Sequence, residues 1–314
     1  MNSLLVILGA TATGKTDLAL HLARRLGGRI INADSIQVYR GLDAGSCKPD
    51  GGARREIPHE LIDVADPGEI FSAGRFAREA VRAIQTARHC GQVPIVAGGT
   101  GLYLRALLEG IAPIPERDEQ VRARLKARLA ASSPEALHDD LMRLDPETAG
   151  RLGRRDLHRV VRALEVVELT GVPLSQHLRA ARFAPGRFES LKIGLTMERA
   201  ALYKKVEDRV DRIFEAGIVE EVRSLLAAGL SPDAHALKAL GYREVLSYLR
   251  GEIDSDGVVA LVKRNTRRYA RRQLTWFRRE PDVRWFEVTG IPGEMEALSA
   301  QVAELWRGLP GGGE

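Results

Sequence analysis

The chain has 314 residues, 44% hydrophobic and 28% charged, with a formal net charge of +5, ordinary values for a folded protein of one or two domains. No stretch approaches the roughly 18 apolar residues that span a bilayer, and the two cysteines, Cys47 and Cys90, lack the CxxC spacing of a zinc site or the number needed for a disulfide framework. Both are expected as free structural thiols in a reducing cytoplasm, and the basic balance suits a polyanionic partner only if the charge is clustered.

Met1–Leu8 has no basic leader and reads as a first strand, not a signal peptide. Its apolar run Leu4–Leu8 enters a glycine loop. Leu18, Leu22 and Leu26 then recur at helical spacing before Gly27. Arg29–Ala33 predicts a second buried strand, Arg75–Ala87 an amphipathic helix, Pro94–Ala97 another strand, and Leu102–Leu108 a helix. Strand–helix alternation of this kind predicts an α/β fold, a parallel sheet with helices on both faces. After the proline-rich segment Ala112–Pro115 the pattern turns helical and arginine-dense. Ser133-Pro134-Glu135 and Asp145-Pro146-Glu147 read as helix starts, and Leu137, Leu141 and Leu144 as a stripe between them. The expectation is a core of residues 1–112 and 189–314 interrupted by an all-helical insertion, 113–188. Helices resume from Arg199, a long one runs from Ser255 to about Arg279, and the tail Gly311–Gly313 is expected to be disordered.

The strongest local signal is Gly9-Ala10-Thr11-Ala12-Thr13-Gly14-Lys15-Thr16, a full G-x-x-x-x-G-K-[ST] loop between a strand and a helix. Glycines let successive N–H groups and the helix N-terminus face phosphates; Lys15 adds a point charge, and the Thr16 hydroxyl can ligate Mg²⁺. A motor-type NTPase would place an acidic residue at the end of a nearby apolar strand. Here Pro94–Ala97 ends in Gly98-Gly99-Thr100, and Leu61-Ile62-Asp63 is a short run, which counts against a helicase.

Asp34 falls at the carboxyl end of the second strand, the edge where ligands lie in open α/β sheets. A carboxylate there can take a proton from a nucleophile, and Ser35 and Gln37 carry groups able to read a base edge. The plainer alternative is an Asx turn closing the strand. Arg209 lies about 20° from Leu202 on the stripe Leu202, Val206, Val210, Ile213. A guanidinium there needs a partner, either an Asp or Glu of the protein or a bound diphosphate; the residues alone favour the former. Two basic stretches remain, Arg154–Arg162 and Lys263–Arg279. In the second, Tyr269, Trp276 and Phe277 can stack on bases or anchor the core, while eight cationic residues can neutralise phosphates.

Gly9–Thr16, Ile31–Gly41 with Lys48-Pro49, Pro58–Asp63, Val96–Tyr103, Arg159–Glu165, Gly241-Tyr242 and Thr266–Phe277, in this order, closely resemble the tRNA dimethylallyltransferase family. The resemblance implies a P-loop core with a helical insertion that binds the tRNA anticodon stem-loop. It also implies transfer of the dimethylallyl group from dimethylallyl diphosphate to N6 of adenosine 37 in tRNA, with pyrophosphate released. By position, Asp34 matches the general base, Lys15 and Thr16 the diphosphate and Mg²⁺ contacts, and Arg209 a diphosphate-binding arginine. Asp34, Ser35, Ile36 and Gln37, with His158, Arg159, Val160, Val161 and Arg162, match tRNA-contacting segments. Thr100 and either Arg122 or Arg124 match further contacts. Ala10 and Thr13 stand where proline and serine are usual, and His158 replaces a usual glutamine, losing an amide's paired donor and acceptor. A monomer without membrane attachment is expected. Two rivals remain. A P-loop small-molecule kinase leaves the basic segments unused, and a non-catalytic RNA-binding protein gives Asp34 and Arg209 no role.

Overall fold

The computed structural model describes residues 3–110, 112, 114–181 and 188–309; the glycine run at 311–313 lies outside them. The chain divides into two compact units, Met1–Leu108 with Arg187–Glu314, and Glu109–Gly186. The larger unit begins with β1 (Ser3–Gly9), α1 (Lys15–Leu26), β2 (Gly28–Asn32), α2 (Gly51–Glu56), β3 (His59–Glu60), α3 (Ala73–His89), β4 (Val93–Gly98) and α4 (Gly101–Leu108). The smaller unit is helical: α5 (Glu119–Ala131), α6 (Pro134–Leu144), α7 (Pro146–Arg151), α8 (Leu157–Thr170) and α9 (Leu174–Ala181). The larger then resumes with β5 (Glu189–Thr196), α10 (Arg199–Glu215), α11 (Ile218–Ala227), α12 (Tyr242–Leu249), α13 (Ser255–Phe277), β6 (Val283–Glu287) and α14 (Glu294–Arg307).

The strands form one sheet in the order β3-β2-β4-β1-β5-β6, every pair parallel. β1 is buried along its whole length, as expected of a parallel strand covered on both faces. Its alternation sorts the two layers. Leu4, Val6 and Leu8 pack with α3, α4 and much of α10–α13, whereas Leu5 and Ile7 pack with α1 and α14. α1 stops where Gly27 adopts a left-handed φ of 61° and donates its N–H to the Ala23 carbonyl. The helical unit closes around Val121, Leu125, Leu137, Leu141, Val160 and Leu164. Leu144, expected in that stripe, is 50% exposed. α6 ends there, and Asp145 turns the chain, accepting from the Thr148 N–H to start α7.

The sequence pattern missed β5, whose apolar run is broken by Lys192. In the structure that lysine is nearly buried and its ammonium meets the Glu280 carboxylate at 2.8 Å and the Pro281 carbonyl at 3.2 Å. A charged residue with two partners is tolerated inside a sheet. Asp63, weighed as a metal-holding acid, is taken by Lys48 at 2.6 Å and Arg54 at 2.8 Å. Burial raises its pKa, but those cations win and hold it below the usual carboxylate range. Cys90 is exposed at the end of α3 and Cys47 half-buried, so only the second has a packing role. No helix among the described residues is long and apolar enough to cross a membrane.

Parallel pairing places the carboxyl ends of β1, β2, β4 and β5 on one edge, and two close approaches fix that edge. Ala33 N–H donates to the Ala97 carbonyl at 2.8 Å and Thr100 N–H to the Ala33 carbonyl at 3.2 Å, so a Cβ on Gly98 would overlap the Ala33 backbone. Gly98→Ala is expected to lower the unfolding free energy by about 3 kcal/mol. Gly68→Ala, where a Cβ meets nothing within 4 Å, is expected to change it by less than about 0.5 kcal/mol. Equilibrium urea denaturation of both variants checks this, and similar small losses would refute the close approach.

Candidate active site

The loop between β1 and α1 is held in a shape that glycine makes possible. Gly9 has φ +148°, and a Cβ there would stand 2.6 Å from the Leu195 carbonyl; Gly14, the residue before α1, has φ +87°. Ala12 also lies in the left-handed region at φ 66°, a strained conformation for a residue with a side chain. Thr13 Oγ1 and Lys15 Nζ both donate to the Ala10 carbonyl, at 2.9 and 2.6 Å. Thr16 is exposed in the first turn of α1, where the helix dipole favours an anion. Burial pushes the Lys15 ammonium down to about 7; Arg209 adds repulsion in the same direction, and Asp34 opposes both.

Asp34, Arg209 and the P-loop residue Thr11 line one cavity of about 220 Å³, together with Ser35, Ile36, Ser46, Thr266 and Tyr269. Asp34 Oδ1 accepts from the Ile36 N–H at 2.9 Å and the Gln37 N–H at 3.4 Å, which is the Asx turn weighed above. The turn and the functional placement coexist, because the turn uses one oxygen and the other has no partner among the described residues. Burial, and after it the Asp34 charge, raises the pKa of the Tyr269 phenol. Arg209 is half-buried and pairs with no carboxylate among the described residues. Its Nη2 donates to the Ser46 carbonyl at 3.4 Å, so the internal ion pair favoured on sequence grounds does not form.

Other expected site residues are committed elsewhere. Gln37 is buried, its Nε2 donating to the Ser46 and Cys47 carbonyls, both at 3.1 Å, which leaves only its carbonyl oxygen to read a base. Thr100 accepts the Ser35 N–H at 3.0 Å and ties the ends of β2 and β4. In the helical unit Val160 and Val161 are core residues, so neither presents a side chain to RNA. Arg122 is turned inward onto Glu165 at 3.2 Å, and Arg162 reaches the same carboxylate at 2.9 Å and the Pro115 carbonyl at 2.6 Å. Arg124, the other candidate, is exposed and pairs with Glu168 at 2.6 Å. His158 and Arg159 are exposed. Desolvation, with Arg117 and Arg122 nearby, holds the His158 imidazole below its usual range. A larger hollow of about 710 Å³ in this unit gathers no comparable chemistry; Asp140 in its lining pairs with Arg128 and Arg143.

Gln273 was missed. It is buried on α13, where its Oε1 accepts the Thr11 N–H at 2.8 Å and its Nε2 donates to the Gly99 carbonyl at 2.8 Å, joining the P-loop to the end of β4. The available signal was a polar residue on the buried stripe Val262, Thr266, Ala270, Phe277, the reasoning that singled out Arg209. The basic face of α13 also divides. Lys263 pairs with Asp211 and Arg267 with Glu207 on α10, while Arg264, Arg268, Arg271 and Arg272 are exposed without a carboxylate partner among the described residues. Phe277 is core; Trp276 is 38% exposed.

The sequence matches the model of the IPP transferase family over residues 37–280 and that of the isopentenyl transferases over 2–57. The chain belongs to the tRNA dimethylallyltransferase family. It is 46% identical to the tRNA dimethylallyltransferase of Geobacter sulfurreducens, over 94% of each chain. To that of Pelotomaculum thermopropionicum it is 43% identical, over 98% of this chain and 97% of the relative. The crystal structure of the full-length tRNA isopentenylpyrophosphate transferase from Bacillus halodurans aligns with a TM-score of 0.71 at 37% identity, covering 97% of this chain and 96% of that one. A eukaryotic dimethylallyltransferase acting on tRNA aligns at 0.81 and 26% identity, covering 96% and 78%. Membership makes this chain a prenyltransferase with a parallel-sheet core, like its solved relatives.

Two outcomes test the site's electrostatics. With Lys15 depressed to about 7, its neutral form dominates above that pH in protein without added anion, and a bound diphosphate restores the charge. In lysine-labelled ¹³C spectra the Lys15 Cε is expected to titrate near 7 and to move upward on adding pyrophosphate; an ordinary lysine titration in both states would refute the burial of this ammonium beside Arg209. Glu165, fully buried between two arginines, is expected to cost about 3–5 kcal/mol of stability when changed to alanine, because both guanidiniums lose their counter-charge. Urea denaturation that returned a surface-like loss would place those arginines in solvent.

Proposed function

We propose that this protein transfers the dimethylallyl group of dimethylallyl diphosphate to N6 of adenosine 37 in tRNA and releases pyrophosphate. The observation that carries the mechanism is the shared cavity: a carboxylate with one oxygen unengaged and an arginine with no acid partner among the described residues, both beside the P-loop. The adenosine nitrogen forms a bond to the allylic carbon as the carbon–oxygen bond to diphosphate breaks, and the N6 proton passes to Asp34. An adenine amine is a poor nucleophile because its lone pair is delocalised, so a base is needed as the new bond forms. Lys15 and Arg209 stabilise the charge developing on the leaving diphosphate, and fixed donors do so without reorganisation cost.

Mg²⁺ fits the oxygen donor that the loop presents. The Thr16 hydroxyl is exposed in the first turn of α1 and has no protein partner among the described residues. Magnesium is commonly held by one or two protein oxygens plus substrate phosphates, which matches a site where no cluster of three metal-ligating side chains exists among the described residues. The ion would supply further neutralisation of the diphosphate. The exposed arginines of α13 carry charge suited to the RNA backbone, and at the start of α8 the exposed Arg159 adds charge beside His158, which offers a hydrogen-bonding group without one. Flipping the target base out of its stack costs a few kcal/mol, which such contacts offset. On this reading the protein acts as a monomer in the cytoplasm.

The test is incubation with Mg²⁺, labelled dimethylallyl diphosphate and unmodified tRNA with adenosines at and flanking the modification site. Label is expected on the RNA. Label absent from RNA while ATP phosphate moves to a metabolite would instead identify a kinase. Asp34→Ala is expected to retain tRNA binding and lose at least about a hundredfold in turnover; undiminished turnover removes Asp34 as the base.

A further inference from the structure

The turn that Arg209 leans on is built around a carboxylate no step above uses. Glu221 lies in the first turn of α11. Its Oε2 accepts the N–H groups of Asp43 and Ala44, both at 2.7 Å, and its Oε1 accepts the Tyr242 hydroxyl at 2.7 Å and the Gly45 N–H at 3.5 Å. Three consecutive backbone N–H groups make a concave anion site, here filled by the protein's own acid. The turn also rests on Tyr242, which is fully buried; a Cβ on Gly45 would stand 2.5 Å from the Tyr242 ring. Lys48 braces its start, donating to Asp43 Oδ1 at 2.5 Å and to the Tyr39 carbonyl at 2.7 Å.

The next residue meets the cavity. The Ser46 carbonyl accepts from Gln37 Nε2 at 3.1 Å and from Arg209 Nη2 at 3.4 Å, and Gly45 and Ser46 both line the cavity. Since no carboxylate holds Arg209, that carbonyl is the one hydrogen-bond acceptor it has among the described residues. We infer that Glu221 is a positioning residue: by gathering the 43–45 N–H groups it fixes the Ser46 carbonyl, which aims Arg209 into the cavity.

This rests on the diphosphate role proposed for Arg209. A carboxylate is required because it offers acceptors on both oxygens. A glutamine keeps one acceptor for the Asp43 and Ala44 N–H groups and can turn its amide to the Tyr242 hydroxyl, but it meets the Gly45 N–H with another donor, and it gives up charge-assisted hydrogen bonds about twice as strong as neutral ones.

The experiment compares transfer kinetics of the wild type, Glu221→Gln, Gly45→Ala, Arg209→Ala and the Glu221→Gln/Arg209→Ala pair, with urea denaturation alongside. Glu221→Gln is expected to lower kcat/KM for dimethylallyl diphosphate at least about tenfold. Gly45→Ala, whose added Cβ would push the turn off the Tyr242 ring, is expected to give the same pattern. In the pair, the second substitution is expected to add less than about twofold to the loss from Arg209→Ala, since residues acting through one another are not additive. A Glu221→Gln variant with wild-type kinetics, or losses that multiply in the pair, overturns the inference: the acid would then serve stability alone. Absence of transfer by the wild type would fault the proposed activity instead.

Discussion

Lys15 and Arg209 face the same small region and repel each other there. Burial and that repulsion depress the lysine to about 7, and Asp34 is the acid that opposes them. Two cations in a partly desolvated setting are costly unless an anion lies between them, and on the proposed reading the substrate diphosphate is that anion. The rest of the structure keeps this arrangement from relaxing. Had Arg209 found a carboxylate of the protein, the charge needed for a leaving diphosphate would be spent internally.

The scaffold prevents that relaxation by giving each charged group a neutral or single-oxygen engagement. Lys15 rests on the Ala10 carbonyl, Arg209 on the Ser46 carbonyl, and Asp34 uses Oδ1 in its own turn. Backbone groups orient these side chains without neutralising them, which is the preorganisation a charge-separating transfer requires. α13 then holds the parts in register. Its Gln273 joins the P-loop to the end of β4, its Tyr269 and Thr266 wall the cavity, and its Lys263 and Arg267 tie it to α10, which carries Arg209.

The helical unit shows the same economy of arginine. Arg122 turns inward to Glu165 and holds α5 against α8, and Arg162 reaches the same carboxylate from within α8, leaving His158 and Arg159 at the surface. A dense run of arginine is therefore not uniformly an open basic surface: part of it is internal framework, and outward members such as Arg124 and Arg159 have carboxylate partners of their own.

The P-loop, the Asp34 turn and the Arg209 stripe were legible because each depends on local spacing, a loop of eight residues or one face of one helix. Strand alternation likewise announced the parallel sheet. β5 was hidden because a lysine satisfied by a residue 88 positions away looks like a surface residue in sequence. Gln273 meets Thr11 across 262 residues and Glu221 meets Asp43 across 178, separations that carry no periodic signal. By itself the sequence determined the glycine-rich loop between β1 and α1, the fold class and the family. Tertiary structure decided which charges are spent and which remain available, because whether an arginine is a strut or a ligand depends on what the folded chain places within about three ångströms of its guanidinium.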